Sequence, residues 1–252
     1  MTEHKQTRLL FLAIALYAAC LAPALAQVAV PFDAVYEIRV DGKPRLESRI
    51  VLRREGDDWT MSSESKGTKG LARFLNLHSE EHSRGQWRGG QPRTSSFSHH
   101  SSVAGVDDRW DASFDWAGQS VATRTEDGDF TLEIAVGTED PLSLTLALGQ
   151  ALAAGETAIT VQVVDEDTID SHLYRRGDTT FLQTALGCLE VVPLERIREN
   201  SSRYSTGWYA TELNYVPVRL LHGKRDGKEF EMRVRSLDID GTPVPVREDC
   251  SG

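Results

Sequence analysis

The chain has 252 residues, 40% of them hydrophobic and 26% charged, enough for a sizeable buried core in one large or two small domains. Asp and Glu number 38 against 28 Lys and Arg, a formal net charge of −10, and no basic stripe offsets it. Such a surface excludes binding to nucleic-acid backbones, and it excludes docking on anionic lipid by overall charge alone.

In chain order the first signal is a targeting one. Lys5 and Arg8 precede the apolar run Leu9 to Ala19, and Ala24-Leu25-Ala26 supplies the small-x-small pattern read by signal peptidase. Residues 1–26 are expected to be a cleavable signal peptide, with Gln27 as the new N-terminus and the periplasm as destination. Two other readings stay open: an uncleaved membrane anchor, and lipidation at Cys20 after Tyr17-Ala18-Ala19. Export would leave Cys188 and Cys250 as a pair in an oxidising compartment, a candidate disulfide contributing about 4 kcal/mol by loop closure. The competing reading is a buried Cys188 and a loose Cys250 in a polar tail over residues 242–252.

Past Gln27 the pattern is strand after strand. Phe32 to Val40 largely alternates apolar with polar or small residues, and Asp41-Gly42-Lys43-Pro44 turns it. Arg45 to Arg54 forms the next strand, Glu55-Gly56-Asp57-Asp58 the next turn, and Trp59 opens a third strand. Further turns fall at 88–91, 117–119, 126–129, 176–178 and 225–228, where glycine supplies positive-φ positions. This spacing predicts an all-β, mainly antiparallel fold: a curved meander sheet or incomplete β-barrel with one short helix packed on it. Residues 27–241 read as a single β-rich domain.

The helix is expected between Asp140-Pro141, a cap-and-proline start, and Gly155. Leu144, Leu148 and Leu152 make its stripe and are the candidate lining of an apolar cavity. Leu142 and Leu146 also satisfy a period of two, so a strand is the alternative there. The segment separates a meander over about 30–137 from one over about 156–240.

Several short strings, in order, are similar to the exported bacterial envelope proteins grouped as "domain of unknown function 3108". They are Phe32-x-Ala34-x-Tyr36, Gln91-Pro92, Glu139-Asp140-Pro141-Leu142-Ser143-Leu144, Thr184-Ala185-Leu186-Gly187-Cys188-Leu189-Glu190-Val191, Trp208-Tyr209 and Tyr215-Val216-Pro217-Val218-Arg219-Leu220. The resemblance implies a barrel-like or half-barrel envelope protein and brings no catalytic residues with it. Cys188 departs from it, standing where an apolar or aromatic residue is expected.

One constellation invites a metal. If Gly89-Gly90 is a two-residue hairpin turn, Glu80 faces His99, and His78, Glu80, His82, Phe97 and His99 share one face. Three imidazoles and a carboxylate suit zinc or copper, but the spacing is generic, and a polar solvent-facing strand is the commoner origin of such a pattern. No nucleophile elbow, phosphate loop or dinucleotide fingerprint occurs, so no cofactor and no catalytic residue is assigned. The sequence therefore points to a non-enzymatic module that shelters a lipid or other apolar ligand. A structural or protein-interaction role in the envelope, without a cavity, is the alternative.

Overall fold

The structure, a computed structural model, describes residues 29–250; the expected signal peptide and Cys20 lie outside the described residues. The elements in chain order begin with β1 (Phe32–Val40), β2 (Lys43–Glu55), β3 (Asp58–Gly67), the one-turn helix α1 (Gly70–Phe74), β4 (His78–Arg88) and β5 (Gln91–Val103). They continue with β6 (Val106–Asp115), β7 (Ser120–Thr125), β8 (Gly128–Glu133), β9 (Thr138–Glu139) and the helix α2 (Leu144–Ala153). The second half holds β10 (Ala158–Asp165), β11 (Thr168–Arg176), β12 (Thr180–Thr184), β13 (Gly187–Ile197) and β14 (Arg203–Ala210). A 3-10 turn at Thr211–Leu213 leads to β15 (Val216–Lys224), β16 (Glu229–Ile239) and β17 (Thr242–Pro243).

All strands belong to one mostly antiparallel sheet with β1 as its spine. β1 pairs with β2 on one side and β16 on the other, so the chain's first strand joins its two meanders. Phe32, Ala34 and Tyr36 are buried on alternate positions, and the Tyr36 hydroxyl donates to the Pro217 carbonyl across 2.8 Å. β2 to β8 form the N-terminal wing and β10 to β16 the C-terminal wing. The far ends of the wings are linked through residues 134–137 and β9, which pairs in parallel with β10 only at Gln162 and Val163. The sheet thus curls like a barrel without closing. α2 lies inside the curl, touching β5 of one wing and β10 and β15 of the other.

The helical reading of the leucine segment holds, and the strand alternative is overturned. Asp140 starts it from one turn earlier than the regular helix: its carbonyl accepts the Leu144 N–H at 3.0 Å, and its Oδ1 accepts the N–H groups of Leu142 and Ser143, each at 2.9 Å. Gly155, at φ +82°, closes the other end. Gly149 lets the helix approach β15, since a Cβ there would lie 3.3 Å from the Tyr215 carbonyl oxygen.

The core has two parts. The larger joins β1 to the aromatics of the N-terminal wing, Trp59, Trp87, Phe97 and Trp110. The smaller packs Leu148, Ala151 and Leu152 of α2 on Ile159, Val161, Val163, Tyr174, Val192, Leu194 and Tyr209. The segment expected as a polar tail is tied to β12 and β13. Arg247 N–H donates to Leu186 O, Cys188 N–H donates to Glu248 O, and a disulfide joins Cys188 to Cys250, with Cα atoms 4.7 Å apart.

The register of β4 and β5 differs from the expectation. Gly89-Gly90 is the turn and Arg88 does face Gln91, but a β-bulge at Ser95 separates the pairs Gly85–Thr94 and Arg84–Ser96. Gly85 admits this close approach, because a Cβ there would collide with the Arg93 carbonyl. Beyond the bulge every pairing slips by one residue. Glu80 faces His100, and Glu81 faces His99.

Candidate functional site

The slip breaks the proposed metal constellation. His78 and His82 stay on the face of Glu80, with His78 Nε2 2.9 Å from Glu80 Oε1. His99 turns to the opposite face with Phe97, where its Nδ1 lies 3.3 Å from Glu81 Oε1. The Glu81 carboxylate raises the His99 pKa above the usual imidazole value, more than its burial lowers it. Among the described residues no group of three or more His, Cys, Asp or Glu is placed to hold a metal ion.

The concave feature best suited to a ligand is a cleft of about 570 Å³ at the seam where the sheet fails to close. Its walls are the β4–β5 turn with Pro92, the 135–137 link, the edge of β10 from Ile159 to Gln162, and one flank of α2. Short side chains make that flank hollow: Ala147, Ala151 and Ala154 face the space, with Gln150 among them. A groove of about 660 Å³ beside Trp59 is larger, but Asp33, Arg53, Arg54, Glu55, Asp58, Asp238 and Asp240 line it with charges of both signs. It reads as surface relief.

The leucines expected to line a cavity do something else. Leu148 and Leu152 are buried in the packed core, 4% and 0% exposed, and Leu144 packs partly buried against the same cluster. The face of α2 that meets the cleft carries the alanines instead. The sequence pattern located the helix, and its leucine stripe packs into the core and not along the cleft, because a leucine stripe finds the deepest core first.

One polar group on the cleft wall escaped the sequence reading. Glu139 is 2% exposed and lines the cleft, beside Asp140, which is 0% exposed. Asp140 accepts two backbone N–H groups, the Ser83 hydroxyl at 2.6 Å and the Thr94 hydroxyl at 2.9 Å. Burial raises the Asp140 carboxyl above its ordinary value, and the four donors aimed at it oppose that rise. Glu139 has the Ser143 hydroxyl at 2.6 Å. Burial pushes the Glu139 carboxyl well above the usual carboxylate range; Ser143 opposes this, and the adjacent Asp140 charge reinforces it. The pair therefore divides its work: Asp140 staples the N-terminus of α2 to β4 and β5, and Glu139 presents a carboxyl that favours its protonated form. The visible signal was two acids directly before a helix start, which by itself reads as capping.

Fold and cleft together define a barrel-like protein with an incompletely closed sheet, plugged by one helix and open at the seam. The chain belongs to the family "Protein of unknown function (DUF3108)", which matches residues 35–233. Among solved structures it is similar to a beta-barrel-like protein of domain of unknown function DUF1849 from Brucella abortus, at 12% identity and TM-score 0.53, over 84% of this chain and 98% of that one. At that identity the likeness shows the fold alone. Lower similarity links it to an exported protein with a YmcC-like fold from Bacteroides fragilis, at 9% identity and TM-score 0.35, over 85% of this chain and 98% of the other. Curated proteins give no match.

Proposed function

We propose that this is a non-enzymatic exported envelope protein that binds an amphipathic, lipid-like ligand in the seam cleft. The observation that carries the reading is the cleft itself: about 570 Å³, walled largely by small apolar side chains and holding one buried carboxyl. That volume falls within the range of ligand sites, roughly 300–1,000 Å³. The alanine flank and the edge of β10 would take an apolar chain. Glu139, Gln150 and Gln162 would hydrogen-bond an uncharged polar group such as an ester, amide or hydroxyl. The periplasm is the compartment that suits both the signal-like N-terminus and the Cys188–Cys250 bridge.

Native mass spectrometry of protein purified without detergent from its own periplasm tests this directly. The expected result is a retained mass that disappears in Ala147→Trp, a variant at a half-buried cleft-lining position outside the packed core of Leu148 and Leu152. Wild-type protein without a retained mass, and without uptake of a fluorescent fatty acid, would overturn the carrier reading. It would favour the second reading, an interaction module. That reading draws support from the exposed apolar tip formed by Leu71, Phe74 and Val106, 66%, 83% and 72% exposed.

A further inference from the structure

The inner face of the C-terminal wing changes character along its strands. In β13, Val192 and Leu194 lie under α2, and the same alternation then delivers Arg196 and Arg198 beyond the helix's cover. Pairing across the sheet extends this into two adjacent rows. Tyr174 faces Arg196, and the β13–β14 ladder, which ends at Glu195 and Thr206, sets Arg196 beside Ser205; Ser205 in turn faces His222. The second row holds His172, Arg198, Arg203 and Lys224, with Arg203 facing Lys224. Arg198 Nη2 donates to Ser205 Oγ at 3.2 Å, and Ser205 Oγ lies 2.6 Å from His222 Nδ1.

These cations lack acids. Among the described residues no carboxylate forms an ion pair with Arg196, Arg198 or Arg203; Asp170 lies 3.9 Å from His172, and it and Asp165 act on Arg196 only from beyond ion-pair distance. Arg198 Nη1 is buried with no hydrogen-bond partner at all. A buried N–H group without an acceptor is costly, and in folded proteins such groups are nearly always satisfied. A surface elsewhere rich in acids has here assembled guanidinium donors with Ser205 as their one acceptor among the described residues and Arg198 Nη1 without any.

We propose that this floor is a binding site for a phosphate group, with Arg196 and Arg198 as its principal ligands and Arg203 at its exposed rim. The planar fork of each guanidinium matches the oxygens of a phosphate, and Tyr174 adds a hydroxyl beside them. Burial depresses the pKa of both arginines from the usual guanidinium value; at Arg198 the Arg196 charge adds to this, whereas at Arg196 Tyr174, Asp170 and Asp165 oppose it. An incoming dianion would relieve that repulsion as well as fill the empty donor. Burial and the same arginines lower the His222 pKa, so its neutral ring can accept from Ser205 and leave the Ser205 oxygen to orient the Arg198 guanidinium. The site is separate from the seam cleft and does not depend on the cleft holding anything. Its phosphate could come free or on the headgroup of an anionic lipid.

The test is a titration of the full mature chain with inorganic phosphate at constant ionic strength, followed by amide NMR. Saturable shifts are expected along β13, β14 and β15, absent with chloride. The double variant Arg196→Gln/Arg198→Gln should bind at least about 100-fold more weakly, as loss of two charge-assisted contacts implies. Arg203→Gln, on the exposed rim, should weaken binding several-fold and keeps the test decisive if the double variant does not fold. Vesicles of phosphatidylcholine with and without phosphatidylglycerol identify the source. Co-sedimentation only with phosphatidylglycerol, lost in the Arg196/Arg198 variant, supports a lipid headgroup; phosphate binding without co-sedimentation supports the free ion. Shifts that fail to saturate, shifts equal to those from chloride, or binding unchanged in both variants would overturn the site.

Discussion

In the N-terminal wing the ionisable groups on the strands largely find partners. Arg49 Nε holds Asp33 at 2.8 Å, Arg124 meets Asp129 at 2.9 Å, and His99 and His78 each lie against a glutamate. In the C-terminal wing Glu231 is clamped between Arg219 and Arg233, at 2.7 and 2.8 Å, yet among the described residues no acid forms an ion pair with Arg196 or Arg198. The cores differ in parallel: large aromatics fill the first wing, whereas the second packs valines and leucines against α2. A meander can therefore be electrically settled in one half and unsettled in the other, under a single net charge of −10. Overall charge describes the surface that a distant partner senses; what a bound group meets is decided by which side chains the register brings into one row.

If the wings share one cooperative core through β1 and α2, deep truncation on either side should lower the same transition. Trp59→Ala in the first wing should cost about 3–5 kcal/mol, and Leu152→Ala in the second about 2–5 kcal/mol. Chemical denaturation followed by tryptophan fluorescence and by far-UV circular dichroism checks this. Non-coincident curves in either variant would show that the wings unfold separately.

Loss of the Cys188–Cys250 bridge, by serine replacement of both cysteines, should cost about 4 kcal/mol on the loop-closure argument for a separation of 62 residues. That loss falls on the C-terminal wing alone, so hydrogen exchange should accelerate in β12 and β13 before β4 and β5. Uniform acceleration would mean that the bridge secures the whole sheet.

His172 distinguishes the wings by pH. Burial, with the Arg196 charge second, pushes its pKa down to about 4, from an ordinary value of 6.5. The folded state thus binds this proton less readily than the unfolded chain. His172 supports stability fully above pH 6.5, and that support is lost as pH falls toward 4, roughly 3 kcal/mol in all. Glu139 has the opposite sign, because its raised pKa makes the folded state hold a proton the unfolded chain has released; its contribution improves as pH falls toward the ordinary carboxyl range. His172→Phe should flatten the loss of stability between pH 6.5 and 4. Melting curves with unchanged slope across that window would contradict the assignment.

The smallest effect is expected at the tip of the N-terminal wing. α1 contains no buried residue, and Phe74 is 83% exposed. Phe74→Ser should change stability by no more than about 0.5 kcal/mol. A larger loss in dilute solution would mean that the tip is covered by another molecule, which analytical ultracentrifugation would reveal as a second copy.

Much of this was legible in the sequence. Alternation and Gly-Asp turns marked the antiparallel strands, and Asp140-Pro141 with Gly155 marked the helix, because these signals act within a few residues. The cysteine pair was visible as a candidate for the same reason that only two remain after Cys20. Tertiary structure decided the rest. A single extra residue at Ser95 sent His99 away from His78 and His82, and no local pattern announces a bulge. The helix's two flanks could not be ranked from their spacing alone, so the leucines went to the core and the alanines to the seam. Arg196 and Arg198 looked like ordinary strand polarity until four strands aligned them with Arg203 and His222, since the sum of charges in one row depends on contacts between residues far apart in the chain.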